Sequence, residues 1–410
     1  MMNSNFKCRS CGNTELKSIL LLGYLPLANA LVSAEEINAL EKRYPLELVF
    51  CPKCSLVQIT ETVDPKILFG KYLYFSSYSE TMLQHSKTLV DNLVKREGLS
   101  KNNFVVEIAS NDGYLLQFLK PHSIPVLGIE PAVNIAQIAE EKGIPTLCQF
   151  FNAETALKLK EERKEADVII GLNVLAHVAD LNSFVEGVRI LLKPTGTAVF
   201  EFPYVKDMID RNEFDTIYHE HLCYYSLTSA KKLFNYHKLM ITDVERISIH
   251  GGSLRIYVQH DSIGKSESMV QSLLAEEREW GVNGQTFYES FTDKVLNLKK
   301  ESLRLLKRLK GNGKRIAAYG AAAKGSTLLN YFGIGKDYID YIIDRSPYKQ
   351  GLYTAGDHIP IHSPVKLLED QPEYVLLLAW NFADEILQQQ YEFRKRGGKF
   401  IIPIPNIKIV

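Results

Sequence analysis

The segment Ile217-Tyr218-His219-Glu220-His221 packs a phenol, two imidazoles and a carboxylate into consecutive positions. Imidazole titrates near neutrality and takes a proton from carbon when a neighbouring carboxylate fixes its tautomer. Such a density of groups points to proton chemistry. A hydrogen-bonded loop anchor is the competing reading.

A second constellation suits a metal. Cys8-Arg9-Ser10-Cys11 and Cys51-Pro52-Lys53-Cys54 are two CxxC knuckles separated by 39 residues. A two-residue gap lets both thiolates of a knuckle reach one tetrahedral ion, and four soft ligands favour zinc. Disulfides are the alternative, but paired CxxC motifs in a reducing cytosol favour metal. With Cys8, Cys11, Cys51 and Cys54 filling all four positions, the zinc is expected to be structural and to hold no catalytic water. The residues between the knuckles can form a small sheet. Cys148 and Cys223 read as small core residues.

Hydrophobic patterning gives the elements that must position these groups. Residues 104–108 (FVVEI) read as a buried parallel strand, 109–113 (ASNDG) as a turn and 114–119 as a helix. A second strand at 126–130 (VLGIE) ends in an acid, placed where a carboxylate can bind both ribose hydroxyls of a nucleoside. A helix at 133–142 and strands at 145–148, 166–171 and 196–202 continue the alternation, which implies a doubly wound parallel α/β sheet. The pair 240–247 and 253–259, turning at His250-Gly251-Gly252, can close that sheet with an antiparallel strand.

The cofactor expectation rests on Glu107, Asn111, Asp112, Gly113 and Glu130, with Asn173 beyond the fourth strand counted in the same set. Only Gly113 remains of a glycine-rich turn, so the loop pattern alone is weak. Glu107 inside the first strand, the Asn-Asp-Gly turn and Glu130 at the end of the second favour S-adenosylmethionine over a dinucleotide. Its amino-acid moiety needs polar anchors more than a pyrophosphate cradle. A generic Rossmann core with Glu107 in a salt bridge is the alternative.

Downstream, residues 291–309 carry apolar residues at helical spacing and predict an amphipathic helix. A second Rossmann-like unit follows, with strands at 315–319, 341–344, 374–380 and 399–403, a small-residue turn at 320–325 and a helix at 326–331. The turn plus Asp344 would suit a nicotinamide dinucleotide, hence a dehydrogenase, but the regular glycine triplet is missing. A helix N-terminus with Lys324 and Ser326 suits the diphosphate of a sugar nucleotide instead. Asn381 lies where an open sheet presents ligands, or caps the next helix.

Composition bounds the rest. At 410 residues, 46% hydrophobic, the chain is globular with room for two or three domains, and 48 basic against 48 acidic residues leave no bulk field for nucleic acid or acidic membranes. Residues 18–30 (SILLLGYLPLANA) imitate a signal peptide, but cleavage there would discard Cys8 and Cys11, and Gly23 and Pro26 interrupt the apolar run. A cytoplasmic protein with no membrane span is expected.

Taken in order, the CxxC pair, residues 22–30 (LGYLPLANA), residues 107–113, Gly128-Ile129-Glu130-Pro131, Tyr218 to His221, His250-Gly251-Gly252 and residues 319–325 (YGAAAKG) resemble the S-adenosylmethionine-dependent sugar C-methyltransferases of deoxysugar biosynthesis. The resemblance covers nearly the whole chain. It implies a zinc-binding domain at 1–70, a class I methyltransferase domain at 71–285 and a C-terminal Rossmann-like domain at 286–410, with the sugar nucleotide between the last two. It further implies a nucleotide-linked 4-keto-deoxyhexose as substrate, methylated at carbon 3, because the ketone acidifies the neighbouring C–H and allows an enolate to form. His221 resembles the family base and Glu220 its orienting partner. Tyr218, His177 and Tyr72 match further active-site positions that hydrogen-bond the enolate oxygen. For His177 and Tyr72, core packing is the competing role. His219 is left out, because adjacent residues point apart. Ala109 and Ser110 depart from the family loop, where a glycine is expected. Another acceptor, an NAD-binding oxidoreductase-like protein and a non-catalytic nucleotide-binding protein are the alternatives. The motifs leave the nucleotide base, the stereochemistry and the oligomeric state open.

Overall fold

Three sheets, linked by one continuous apolar core, hold the chain together in the computed structural model, which describes residues 6–69 and 75–410. Tyr72 lies outside the described residues.

The first sheet is antiparallel, in the order β1 (Lys17–Pro26), β2 (Arg43–Phe50), β3 (Val57–Ile59) and β9 (Cys223–Tyr224). Its fourth strand comes from the middle of the chain: Gln58 pairs with Cys223 and Val57 with Tyr224. Residues 18–30 form β1 and the turn after it.

The second sheet has seven strands. In chain order they are β4 (Val105–Ile108), β5 (Val126–Ile129), β6 (Thr146–Leu147), β7 (Ala166–Leu172), β8 (Leu192–Pro203), β10 (Leu239–Ile247) and β11 (Ser253–His260). In space they run β10-β11-β8-β7-β4-β5-β6, with β11 antiparallel to both neighbours and the other pairs parallel. Strands covered on both faces must be apolar throughout, and β4 (VVEI) is buried at every position, including Glu107. The sheet order reverses at β4, so the crevice beyond β4 and β7 is a natural ligand position. The expected antiparallel closure by the hairpin is present.

The third sheet runs β14 (Ile361–His362), β13 (Ile342–Ile343), β12 (Ile316–Tyr319), β15 (Tyr374–Leu377), β16 (Lys399–Ile402), β17 (Lys408–Ile409), parallel except at β17. Its own reversal, between β12 and β15, faces the second sheet. The helix Phe291–Gly311 joins the units, its Thr292 hydroxyl donating to the Ile19 carbonyl of β1 at 2.6 Å.

Several local expectations shift. The helix expected at 114–119 is reduced to 3-10 turns at Leu116–Phe118 and Lys120–His122, because Pro121 lacks the N–H that would extend it. The helix expected at 326–331 starts earlier, at Ala323–Phe332, where alanine favours helix. His177 sits in a 3-10 turn, Leu175–His177. Cys148 is exposed rather than core, since β6 ends one residue before it, whereas Cys223 is buried. Among the described residues no helix is long and apolar enough to cross a membrane.

Phe200 on β8 is fully buried against Phe184 and Phe234, with ring centroids 6.1 and 5.5 Å away. Phe200→Ala is expected to cost about 3–5 kcal/mol of unfolding free energy, read by urea titration.

Candidate active site

The residues that could do chemistry gather on a cavity of about 630 Å³ between the second and third sheets. One wall is the irregular stretch beyond the short helix Val205–Asp210 that follows β8. The 3-10 turn Phe214–Thr216 leads into the turn at Tyr218, where the His221 N–H donates to the Tyr218 carbonyl at 2.9 Å, and β9 begins two residues later. The Leu222 N–H donates to the Ala176 carbonyl at 2.6 Å and the Ile59 N–H to the Leu222 carbonyl at 3.0 Å. The turn is therefore fastened to the His177 turn on one side and to the first sheet on the other.

These bonds set a tautomer. His221 Nδ1 lies 3.0 Å from the Thr216 carbonyl, which can only accept, so Nδ1 carries the proton. Nε2 then offers its lone pair, and the Tyr218 hydroxyl donates to it at 2.7 Å. His177 stands edge-on to His221 with ring centroids 4.8 Å apart. Enclosure pushes the His177 pKa down to about 4, partly offset by its hydrogen bond to the Glu220 carbonyl. In that neutral imidazole one ring N–H is committed to the carbonyl, so the other nitrogen is an acceptor. His219 points the other way, donating through Nε2 to the Pro45 carbonyl of β2 at 3.2 Å.

Glu220 differs from expectation. The orienting bond of His221 comes from the Thr216 backbone. The Glu220 carboxylate turns instead to Asn29, whose Nδ2 donates to its two oxygens at 2.7 and 3.0 Å. Consecutive residues of a tight turn diverge, which separates this carboxylate from the imidazole beside it in sequence. Burial raises its pKa to about 7, while Asn29 and the nearby Lys349 pull the other way.

Of the residues assigned to the cofactor, Asn111, Glu130 and Asn173 line the cavity. Glu130 accepts from the Asn111 and Ala132 N–H groups at 3.1 and 2.9 Å, tying the loop after β4 to the end of β5. Burial, first of all, raises it to about 7. Glu107, Asp112 and Gly113 stand behind the loop. Asp112 is drawn away by Lys142, at 2.8 Å, and by the Ser77 hydroxyl. Gly113 provides clearance, since a Cβ there would meet Ile144 Cγ1 at 2.9 Å. Where a glycine was missing, Ala109 takes a glycine-like φ of 57°. Glu107 is fully buried with neither oxygen hydrogen-bonded, and burial plus the Asp112 and Glu130 carboxylates drive its pKa well up. Three acids crowded behind one crevice fit a ligand that carries positive charge together with ribose hydroxyls. S-adenosylmethionine, with its sulfonium and ammonium, has both.

The third sheet contributes the opposite wall. Lys324 and Asn381 line the cavity. Lys324 Nζ lies 4.6 Å from the Trp380 ring and faces the buried Glu213 and Asp215, whose pKa values burial raises to about 8 and about 6. Trp380 Nε1 donates to Asp215 at 2.7 Å, and Phe214 stacks on Phe332 at 4.8 Å, so this unit grips the turn that carries Thr216. Ser326 is a correction. It faces a small void shared with Ala28 and Leu31 and bonds to Asn330, because it lies one turn into the helix on the side packed against the first sheet. Lys349 and Arg345 line the cavity as well and were missed. No local motif marks either one.

The four knuckle sulfurs lie within 4.8 Å of one another. Gly12 and Ser55 close matching turns by donating to the Cys8 and Cys51 carbonyls at 2.9 and 2.8 Å. Gln58 Nε2 donates to Cys8 Sγ at 3.1 Å, and bonding from Cys54 above all favours the Cys8 thiolate. Four converging sulfurs with an amide donor fit a closed zinc site.

Comparison with known proteins agrees in outline. Residues 8–69 match the family model of a zinc binding domain, residues 82–240 that of a methyltransferase domain and residues 248–405 that of a C-methyltransferase C-terminal domain. C-methyltransferase NovU of Streptomyces niveus is 35% identical over 98% of this chain and 96% of its own. A ubiquinone biosynthesis O-methyltransferase of Bartonella bacilliformis is 25% identical over 31% of this chain and 53% of its own. The magnesium protoporphyrin IX methyltransferase of Synechocystis PCC 6803 shares 15% identity and a TM-score of 0.35 over 43% of this chain and 82% of that one.

Two outcomes follow. Elemental analysis should find one zinc per chain in the native protein and none in Cys51→Ser, with a lower melting temperature. Calorimetric titration with S-adenosylmethionine should show Glu130→Ala binding about tenfold to a hundredfold more weakly, the range for losing a hydrogen-bonding charged group.

Proposed function

The chain belongs to the S-adenosylmethionine-dependent C-methyltransferase family, and from that premise we propose that it methylates carbon 3 of a nucleotide-linked 4-keto-deoxyhexose through an enolate. The observation that carries the reading is His221. Its tautomer is set by a backbone carbonyl, and its Nε2 lone pair stands on a cavity onto which two Rossmann-like crevices open. C-methylation needs a carbon nucleophile, and a ketone makes one when a base removes the proton from the adjacent carbon.

In this reading the central unit, residues 71–285, binds the methyl donor through Glu130, Asn111 and Asn173, with the buried Glu107 behind them. When bound, S-adenosylmethionine provides an electrophilic methyl group. The C-terminal unit, residues 286–410, holds the nucleotide of the acceptor through Lys324 and Asn381, aided by the cavity-lining Arg345. Lys324 is partly neutralised by Asp215, while burial favours the neutral acid at Glu213, so the part of Lys324 is to orient a phosphate more than to provide net charge. His221 Nε2 takes the proton from carbon 3, and Nδ1 stays bonded to Thr216 throughout, which spreads the new positive charge onto a fixed dipole. The Tyr218 hydroxyl, released from Nε2 as the C–H bond approaches, donates to the oxygen at carbon 4. His177, neutral with an accepting nitrogen, and the Glu220 carboxylate receive sugar hydroxyls. Tyr72 remains assigned to this half of the site by the family resemblance. Enclosure between two sheets removes water that would reprotonate the enolate.

Incubation with methyl-labelled S-adenosylmethionine and a panel of nucleotide-linked 4-keto-6-deoxyhexoses should place the label on carbon 3, read by NMR. Label on an oxygen, or on no member of the panel, would overturn the substrate assignment. His221→Gln should lower kcat by about 10²–10⁴-fold, the usual worth of a positioned general base, while S-adenosylmethionine binds as before.

A further inference from the structure

Three units of the chain meet at one carboxyl group. Glu220 is buried in the wall of the central unit, yet the donor to both of its oxygens is Asn29 of the turn after β1, in the unit that bears the cysteine cluster. From the third sheet's unit Lys349 faces it, held by donating to the Ala321 carbonyl at 2.8 Å. His177 bonds to the Glu220 backbone carbonyl, and Tyr218 and His221 share its turn. Among the described residues these are the charged and titratable groups around it.

The Asn29 turn is itself pinned. The Ala30 N–H donates to the Leu27 carbonyl at 3.1 Å, and Val32 exchanges backbone bonds with Tyr353 at 2.9 and 2.8 Å. Further along the same connection, Glu41 accepts from the Gly356 N–H at 2.7 Å and pairs with His358 at 2.7 Å. With the turn so held, the Asn29 Nδ2 donates to both Glu220 oxygens. It therefore favours one orientation and the ionised form of the carboxylate it meets.

We propose that Asn29 is a positioning residue for methyl transfer, holding the Glu220 carboxylate toward the acceptor half of the cavity, so that the zinc-bearing unit takes part in the reaction through this contact. The inference rests on the reading above, in which Glu220 serves the acceptor. Burial alone favours the neutral acid at Glu220, and Asn29 opposes it. Removing the amide leaves the carboxyl free to turn and to hold its proton.

The test uses the full-length, zinc-loaded protein and its Asn29→Ala, Asn29→Ser and Glu220→Gln variants. Infrared difference spectra against Glu220→Gln isolate the Glu220 carboxyl band, and its pH titration needs no substrate. The midpoint should move to higher pH in Asn29→Ala, and an unmoved midpoint overturns the proposal. Asn29→Ser, too short to span the contact, reads the same shift should the alanine variant fail to fold. In turnover with the 4-keto-6-deoxyhexose nucleotides, kcat should fall about tenfold or more. KM for S-adenosylmethionine and zinc content should stay constant, and the Glu220-controlled limb of the pH profile should move upward. In the Glu220→Gln background the Asn29 substitution should cost nothing further, and an equal loss in both backgrounds overturns the proposal. A fully active Asn29→Ala beside an inactive Glu220→Gln overturns this inference alone. A fully active Glu220→Gln overturns the role given to Glu220, and this inference with it.

Discussion

The hydrogen bond from His221 Nδ1 to the Thr216 carbonyl, 3.0 Å long, is the contact on which the rest of the site depends. It decides which imidazole nitrogen carries a lone pair, and it joins two residues of an irregular stretch that has little regular structure of its own. Such a stretch keeps one geometry only when its surroundings over-determine it. Here the surroundings come from every unit: β9 pairs with β3, Leu222 is tied to Ala176, and Trp380 and Phe332 clasp Asp215 and Phe214. The buried phenol of Tyr224 also donates to the Thr216 carbonyl, at 3.2 Å.

Seen this way, the three sheets divide the work by physical character. The second sheet presents a crevice of carboxylates suited to a positively charged nucleoside, and the third presents Lys324, Arg345 and a helix N-terminus suited to phosphate. Both crevices open on the one cavity. The first sheet's unit lends Asn29 and Pro65 to the cavity lining. Its part is to complete the wall, through β9 and Asn29, and the cysteine cluster locks the ends of that small sheet, whose core alone would be slight.

Much of this was legible in the sequence, and for a physical reason. Buried parallel strands are apolar throughout, paired CxxC spacing is dictated by tetrahedral sulfur, and an acid at the end of a second strand marks a crevice. The Tyr218 to His221 cluster was visible because its groups are contiguous. What escaped were contacts between residues distant in the chain. Asn29 is separated from Glu220 by 191 positions, and β9 is a two-residue strand borrowed by another unit's sheet. Contiguity also misled, since the neighbouring carboxylate seemed the natural partner of His221 and a backbone carbonyl took that place. Small residues near a turn suit both approach to a ligand and close packing, and Ser326 and Gly113 are closely packed, Ser326 with Asn330 and Gly113 against Ile144.

The central claim is that His221 removes a proton from the carbon beside a ketone, and solvent exchange isolates that step. With S-adenosylhomocysteine in place of the methyl donor, in deuterated water, the native protein should wash deuterium into carbon 3 of the 4-keto-6-deoxyhexose nucleotide, and His221→Gln should not. Exchange that proceeds undiminished in His221→Gln, or none in the native protein while methyl transfer runs normally, would contradict the account.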